Sequence, residues 1–219
     1  MLITFEGIDG SGKSTQAHLL EQDLQKAGHE TLLVREPGGT ELSEQVRALL
    51  LDNDLAIAPF AELLLFSAAR AQLVTETIKP ALQRGAIVLC DRFYDSTTAY
   101  QGAGRGVAER SWLQGFHRKV TGGLVPDRTY LVAVPPDVAR ARRTASGQSA
   151  DRMESAQADF HARVADAYTA LAAAEPERFV RLDGQQPIDA VHAQIRADAE
   201  RLLSDRTGTP QTGAGSPEQ

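Results

Sequence analysis

The stretch Leu2-Ile3-Thr4-Phe5-Glu6-Gly7-Ile8-Asp9-Gly10-Ser11-Gly12-Lys13-Ser14-Thr15 runs from a short apolar segment through a glycine-rich turn into a segment with helical spacing. Gly7, four residues, then Gly12-Lys13-Ser14 is the spacing that lets backbone N–H groups converge on a phosphate at a helix N-terminus. Gly10 and Gly12 carry no Cβ to obstruct that curl. Lys13 has the reach to bridge the outer phosphates of a nucleoside triphosphate, and the Ser14 hydroxyl suits a magnesium ion. The loop Gly7, Ile8, Asp9, Gly10, Ser11, Gly12, Lys13, Ser14, Thr15 is therefore read as a triphosphate site. The plain alternative is a glycine turn with no ligand. Leu19, Leu20, Leu24 and Ala27 ahead of Gly28 argue against it, because they supply the amphipathic helix and stop that the site requires.

Working outward, β-rich runs recur at Leu2 to Phe5, Thr31 to Val34, Ala86 to Leu89, Thr129 to Val134 and Phe179 to Leu182, separated by longer helical patterns. Alternation of this kind predicts an α/β fold with a parallel five-stranded sheet and helices on both faces. Such sheets carry ligands at the carboxyl ends of their strands. Charged and glycine residues cluster there: Gly7 to Ser14 after the first run, Arg35-Glu36-Pro37-Gly38-Gly39 after the second, Asp91-Arg92 after the third.

With 219 residues and 42% hydrophobic content, the chain suits one α/β domain, read here as residues 1–204. From 205 to 219 no large apolar residue is present to anchor the chain, and a disordered tail is expected. A net charge of −6 argues against nucleic acid as a partner, so any anionic ligand must be met by local arginines. Cys90 is the sole cysteine, which excludes an intrachain disulfide and a cysteine-based zinc site and fits a reducing cytoplasm. No apolar run approaches the ~18 residues that cross a bilayer, so no membrane association is expected.

Phe66 and Arg70 lie four apart in an apolar segment from Ala61 to about Lys79, which places ring and guanidinium on one helix face. Taken alone, that spacing fits a core phenylalanine beside a surface arginine. Arg140, Arg142 and Arg143 precede the break Ser146-Gly147-Gln148-Ser149, and Arg152 follows it. Cations flanking a flexible break suggest a mobile lid over about 140–152; the bland reading is a solvated basic helix face. Arg143 and Arg152, nearest the break, are the stronger candidates.

An Asn-Lys-x-Asp element for reading guanine is absent. Together, the phosphate loop, Arg35-Glu36-Pro37-Gly38-Gly39-Thr40, Asp91-Arg92-Phe93 and Ala99-Tyr100-Gln101-Gly102 closely resemble the thymidylate kinase family, bacterial type, over about Leu2 to Leu203. The resemblance implies a P-loop kinase that phosphorylates dTMP to dTDP with ATP and magnesium, in dTTP biosynthesis, and is commonly a homodimer. It places Phe66 and Arg70 on the thymine, the ring by stacking and the guanidinium by donating to O4. A donor there suits thymine and opposes the amino group of cytosine. Ser96, Thr97 and Gln101 would line the base, and Tyr100 would pack on the deoxyribose. Asp9 would reach the sugar 3′-hydroxyl. Arg92, with Arg47 as a second candidate, would bind the acceptor phosphate; Glu36 borders that region, and Asp91 joins Ser14 near the metal. The adenine would lie by Asp183 to Pro187.

Some family members place an arginine inside the phosphate loop, whereas this loop reads Asp9-Gly10-Ser11-Gly12. The missing charge is then expected from Arg143 or Arg152 when the lid closes. Two further departures, Phe93 where tyrosine is common and a small, polar lid, bear on lid geometry. The rival readings are another nucleoside monophosphate or deoxynucleoside kinase of this fold, which a panel of acceptors would reveal, and a nucleotide-binding module without transfer, against which Lys13, Ser14, Asp91 and Arg92 stand.

Overall fold

A computed structural model, which describes residues 1–145, Arg152 and residues 158–207, gathers the apolar runs into one parallel sheet. Its strands are β1 (Leu2–Glu6), β2 (Thr31–Arg35), β3 (Ile87–Asp91), β4 (Arg128–Ala133) and β5 (Phe179–Asp183), in the order β2-β3-β1-β4-β5. Every adjacent pair is parallel. β1 occupies the centre and is buried along its whole length. A parallel sheet covered on both faces requires such continuous apolar strands.

Side chains alternate across the sheet. Ile3, Phe5 and Leu89 face a layer built from α1 (Lys13–Lys26) and α9 (Ile188–Thr207), packing on Leu20, Leu24 and Ile195. Leu2, Val88 and Cys90 face the other way, onto Leu73, Val74 and Ile78. On that side lie α3 (Pro59–Leu73) and α4 (Lys79–Gln83), with α2 (Glu41–Leu51) packed on α3. α5 (Tyr94–Thr97) follows β3, α6 (Arg110–Val120) packs on α3, and α7 (Pro136–Ala145) and α8 (Ala158–Ala174) cover the β4 end of the sheet.

The apolar segment expected from Ala61 to about Lys79 starts at Pro59 and continues to Gln83, interrupted by one widened turn at Val74–Ile78. That turn precedes Pro80, which has no N–H to give a carbonyl one turn back. A second widened turn, Thr98–Gly104, continues α5 and carries Tyr100 and Gln101. At the other end, α9 runs through Thr207, into the segment read as a tail from 205. The remainder of that segment, and residues 146–151 of the lid, lie outside the described residues. No helix among the described residues is long and apolar enough to cross a membrane.

Candidate active site

β1 delivers the phosphate loop to the centre of the sheet's carboxyl edge, and β3 delivers Asp91 beside it, in register with Phe5. Gly12 caps α1 with φ 97°, a left-handed conformation that glycine adopts without strain. At Gly10, φ is 85° and a Cβ would stand 2.4 Å from the carbonyl oxygen of Ala139 in α7, so the loop is sealed against that helix. Lys13 is buried with Nζ 3.4 Å from Asp9 Oδ1. Ser14 Oγ donates to Asp91 Oδ2 at 2.5 Å. The other Asp91 oxygen is buried without a hydrogen-bond partner among the described residues.

Beside the loop lies a cavity of about 100 Å³ lined by Asp9, Glu36, Arg47, Phe66, Arg92, Ser96, Thr97, Tyr100 and Gln101, residues singled out from the sequence. Arg70 stands behind this wall rather than on the surface: it is 1% exposed. Its Nε donates to Glu36 Oε2 at 2.7 Å, Nη1 to Thr97 Oγ1 at 3.0 Å and Nη2 to the Phe93 carbonyl at 3.2 Å. Burial pushes the Glu36 carboxyl up, only partly offset by Arg70, and Glu36 Oε1 has no partner among the described residues. Arg47 donates to the Pro37 carbonyl at 3.0 Å, which ties α2 to the same wall.

Arg92 sits in the left-handed region (φ 71°), rare for a side-chain-bearing residue, and this backbone turns its guanidinium toward the loop. Nη2 donates to Asp9 Oδ1 at 2.6 Å and to Tyr100 Oη at 3.2 Å, while Nη1 reaches Ser96 Oγ at 3.1 Å and Tyr168 Oη at 3.3 Å. Its Cζ lies 5.0 Å from the Tyr100 ring centroid. Burial pushes the Asp9 carboxyl up, but Arg92 and Lys13 outweigh it and hold the group well below the usual carboxylate range.

A family model described as thymidylate kinase matches residues 5–195. The chain belongs to the thymidylate kinase family. It is 48% identical over 197 residues to a thymidylate kinase of Deinococcus radiodurans, covering 90% of this chain and 95% of the relative. To a thymidylate kinase of Chlorobium chlorochromatii it is 46% identical, covering 93% of this chain and 96% of the relative. A crystal structure of thymidylate kinase from Ehrlichia chaffeensis matches with a TM-score of 0.73 at 36% identity, over 91% of this chain and 98% of that one. As a member of the thymidylate kinase family, the protein is a transferase that phosphorylates dTMP.

The two arginines expected to act from a lid part company within this thymidylate kinase fold. Arg143 lies on the phosphate loop, its Cγ 3.1 Å from where a Gly10 Cβ would stand. Arg152 instead donates to the Leu50 carbonyl in α2 at 2.9 Å and to Glu62 Oε2 in α3 at 2.7 Å. Arg142, given no role from the sequence, bridges the carbonyls of Ser11 (3.3 Å) and Gly184 (2.9 Å), joining the phosphate loop to the turn after β5.

Sequence reading also passed over the group that braces Arg92. Glu6 is fully buried; Oε1 accepts from the Phe93 N–H at 2.8 Å, and Oε2 accepts from Ser96 Oγ at 2.6 Å and Tyr168 Oη at 2.9 Å. Burial and the nearby Asp95 push its carboxyl up to about 7. The available signal was a carboxylate closing an otherwise apolar buried strand. Tyr168 comes from α8, 162 residues from Glu6, and no local pattern points to it.

Proposed function

We propose that the protein transfers the γ-phosphoryl group of magnesium-bound ATP to the 5′-phosphate of dTMP, giving ADP and dTDP, with the residues that meet around Asp9 and Arg92 as the transfer site. The observation that carries this reading is the pairing of Arg92 and Lys13 on one carboxylate between the phosphate loop and the acceptor cavity. Two anions must approach each other there, and fixed cations offset their repulsion.

In this reading Lys13 and the N-terminus of α1 hold the triphosphate, and Arg92 with Arg47 holds the acceptor phosphate. Arg143, already on the loop, supplies the charge that an arginine inside the loop provides elsewhere. Phe66 stacks on thymine, Arg70 acts through the back wall toward O4, and Thr97 and Gln101 complete the base pocket. Asp9, on releasing Arg92, takes the 3′-hydroxyl; Tyr100 packs on the deoxyribose, and Glu36 borders the metal region. The acceptor oxygen is already nucleophilic at neutral pH, so no covalent protein intermediate is needed. Ser14 and Asp91 fit a magnesium ion, because Asp91 keeps one buried oxygen without a partner. Bound there, the ion would neutralise charge on the bridging phosphates.

Adenine is assigned to the turn Asp183 to Pro187, which Arg142 ties to the loop. A homodimer is inferred through the face where α3 and α6 expose Phe60, Leu64 and Trp112, with Phe60 and Trp112 ring centroids 6.4 Å apart. A cytoplasmic location and the division into a 1–204 domain and a tail belong to the same reading.

The test is acceptor-dependent release of ADP from ATP and magnesium across a panel of nucleosides and monophosphates. Fastest turnover with dTMP supports the reading, and faster phosphorylation of another base refutes it. Sedimentation of the wild type and of Trp112→Glu reads out the dimer.

A further inference from the structure

We propose that Glu62 is a specificity-positioning residue: it fixes the Gln101 amide so that the carbonyl end, not the amino end, faces the acceptor cavity. Glu62 lies on α3 and Gln101 on the widened turn after α5; both are 1% exposed. Gln101 Nε2 donates to Glu62 Oε1 at 2.8 Å. An amide presents a donor at one end and an acceptor at the other, and which end faces a cavity is set by the neighbour that takes the opposite end. Here the neighbour is a carboxylate ion-paired with Arg152 Nη1 at 2.7 Å and Arg105 Nε at 3.3 Å. Its oxygens accept, so they claim the amino end of Gln101.

The consequence is a base filter, which rests on the dTMP reading above. Thymine offers a ring N3–H between two carbonyls, and the Gln101 carbonyl matches that donor. Cytosine carries a lone pair at N3, which would meet the carbonyl acceptor to acceptor in a dry site. Buried polar groups left unpaired are what give a site strong discrimination. Glu62 touches no substrate in this scheme; it acts through Gln101.

The experiment compares kcat/KM for dTMP and dCMP in wild type, Glu62→Gln, Gln101→Met and the double variant. A neutral amide at position 62 lets the pair of amides flip together. The dTMP to dCMP ratio is expected to fall about tenfold or more in Glu62→Gln, through a raised KM for dTMP with KM for ATP unchanged. In the Gln101→Met background the same change is expected to add nothing, since the amide it orients is gone. Should Glu62→Gln lose its cooperative melt, Glu62→Asp carries the same expectation: it keeps the charge for Arg105 and Arg152 and withdraws the carboxylate from Gln101. An unchanged ratio in a folded variant, or losses that multiply in the double variant, overturns the proposal. A wild type that prefers another base overturns the dTMP reading instead, so the two failures are distinct.

Discussion

Arg92 and Asp9, 83 residues apart in sequence, meet at 2.6 Å between the phosphate loop and the cavity lined by Phe66 and Gln101. The contact exists because β1 and β3 are neighbours in register, so the loops that leave their carboxyl ends face one another. The arginine is ordered by the carboxylate, by Ser96 and by two tyrosine hydroxyls. In the proposed reaction, a guanidinium already fixed in place would lose little side-chain entropy on meeting the acceptor phosphate.

Arg92→Ala is expected to lower kcat/KM for dTMP by about 10² to 10³, equivalent to about 3–4 kcal/mol for a lost preorganised donor. The affinity for ATP should be almost unchanged. Steady-state kinetics with dTMP as the varied substrate, paired with nucleotide binding by calorimetry, checks both halves.

Glu6 ties stability to pH. Its folded carboxyl is raised to about 7 from an ordinary value of 4.5, so the folded chain holds this proton more tightly than the unfolded chain. The contribution is complete below about 4.5 and is lost as the pH climbs through 7, a change of about 3 kcal/mol. Asp9 works in the opposite sense: its depressed carboxyl contributes stability above about 3.8 that disappears as the pH falls further. Glu6→Gln should flatten the decline between pH 5 and 7, and calorimetric Tm values across that range report it.

Arg143 and Arg152 should separate in kinetics as they do in space. Arg143→Ala removes a cationic side chain whose stem packs against the phosphate loop at Gly10 and is expected to depress kcat by at least tenfold. Arg152→Ala loses contacts to Leu50 and Glu62 beside the proposed acceptor cavity, so its main effect is expected in KM for dTMP. Equal losses of kcat in both variants would contradict this division.

Arg178 carries structure rather than chemistry. It donates to both oxygens of the buried Asp95 at 2.6 and 3.0 Å, and to Thr129 at 2.7 Å. Arg178→Ala leaves that carboxylate buried without its ion partner, and a loss of about 3–5 kcal/mol is expected. Urea denaturation measures it, and an unchanged midpoint would show that Asp95 finds another partner.

That the candidate site residues gather in one place was legible because they lie at strand ends, where short motifs have physical meaning. Gly7, Gly12, Lys13 and Ser14 are set by the geometry of a strand, turn and helix within a dozen residues. The strands were legible for a related reason: a parallel sheet buried on both faces leaves near-continuous apolar runs, and all five are present as expected. Arg70 shows where local spacing stops. The interval from Phe66 correctly placed the two on one helix, but an isolated helix reads an arginine as exposed. Glu36, Thr97 and the Phe93 carbonyl, arriving from elsewhere in the chain, make its burial tolerable.

By itself, the order of residues determined the strand and helix alternation and the phosphate loop, because backbone conformation and apolar periodicity act over a few residues. Tertiary structure alone decided that Glu6 and Tyr168 brace Arg92, that Glu62 holds Gln101, and that Arg143 and Arg152 lie against different elements. Those pairings depend on which loops share one edge of the sheet. Buried charges must find partners across that distance, and no local pattern encodes which partner it will be.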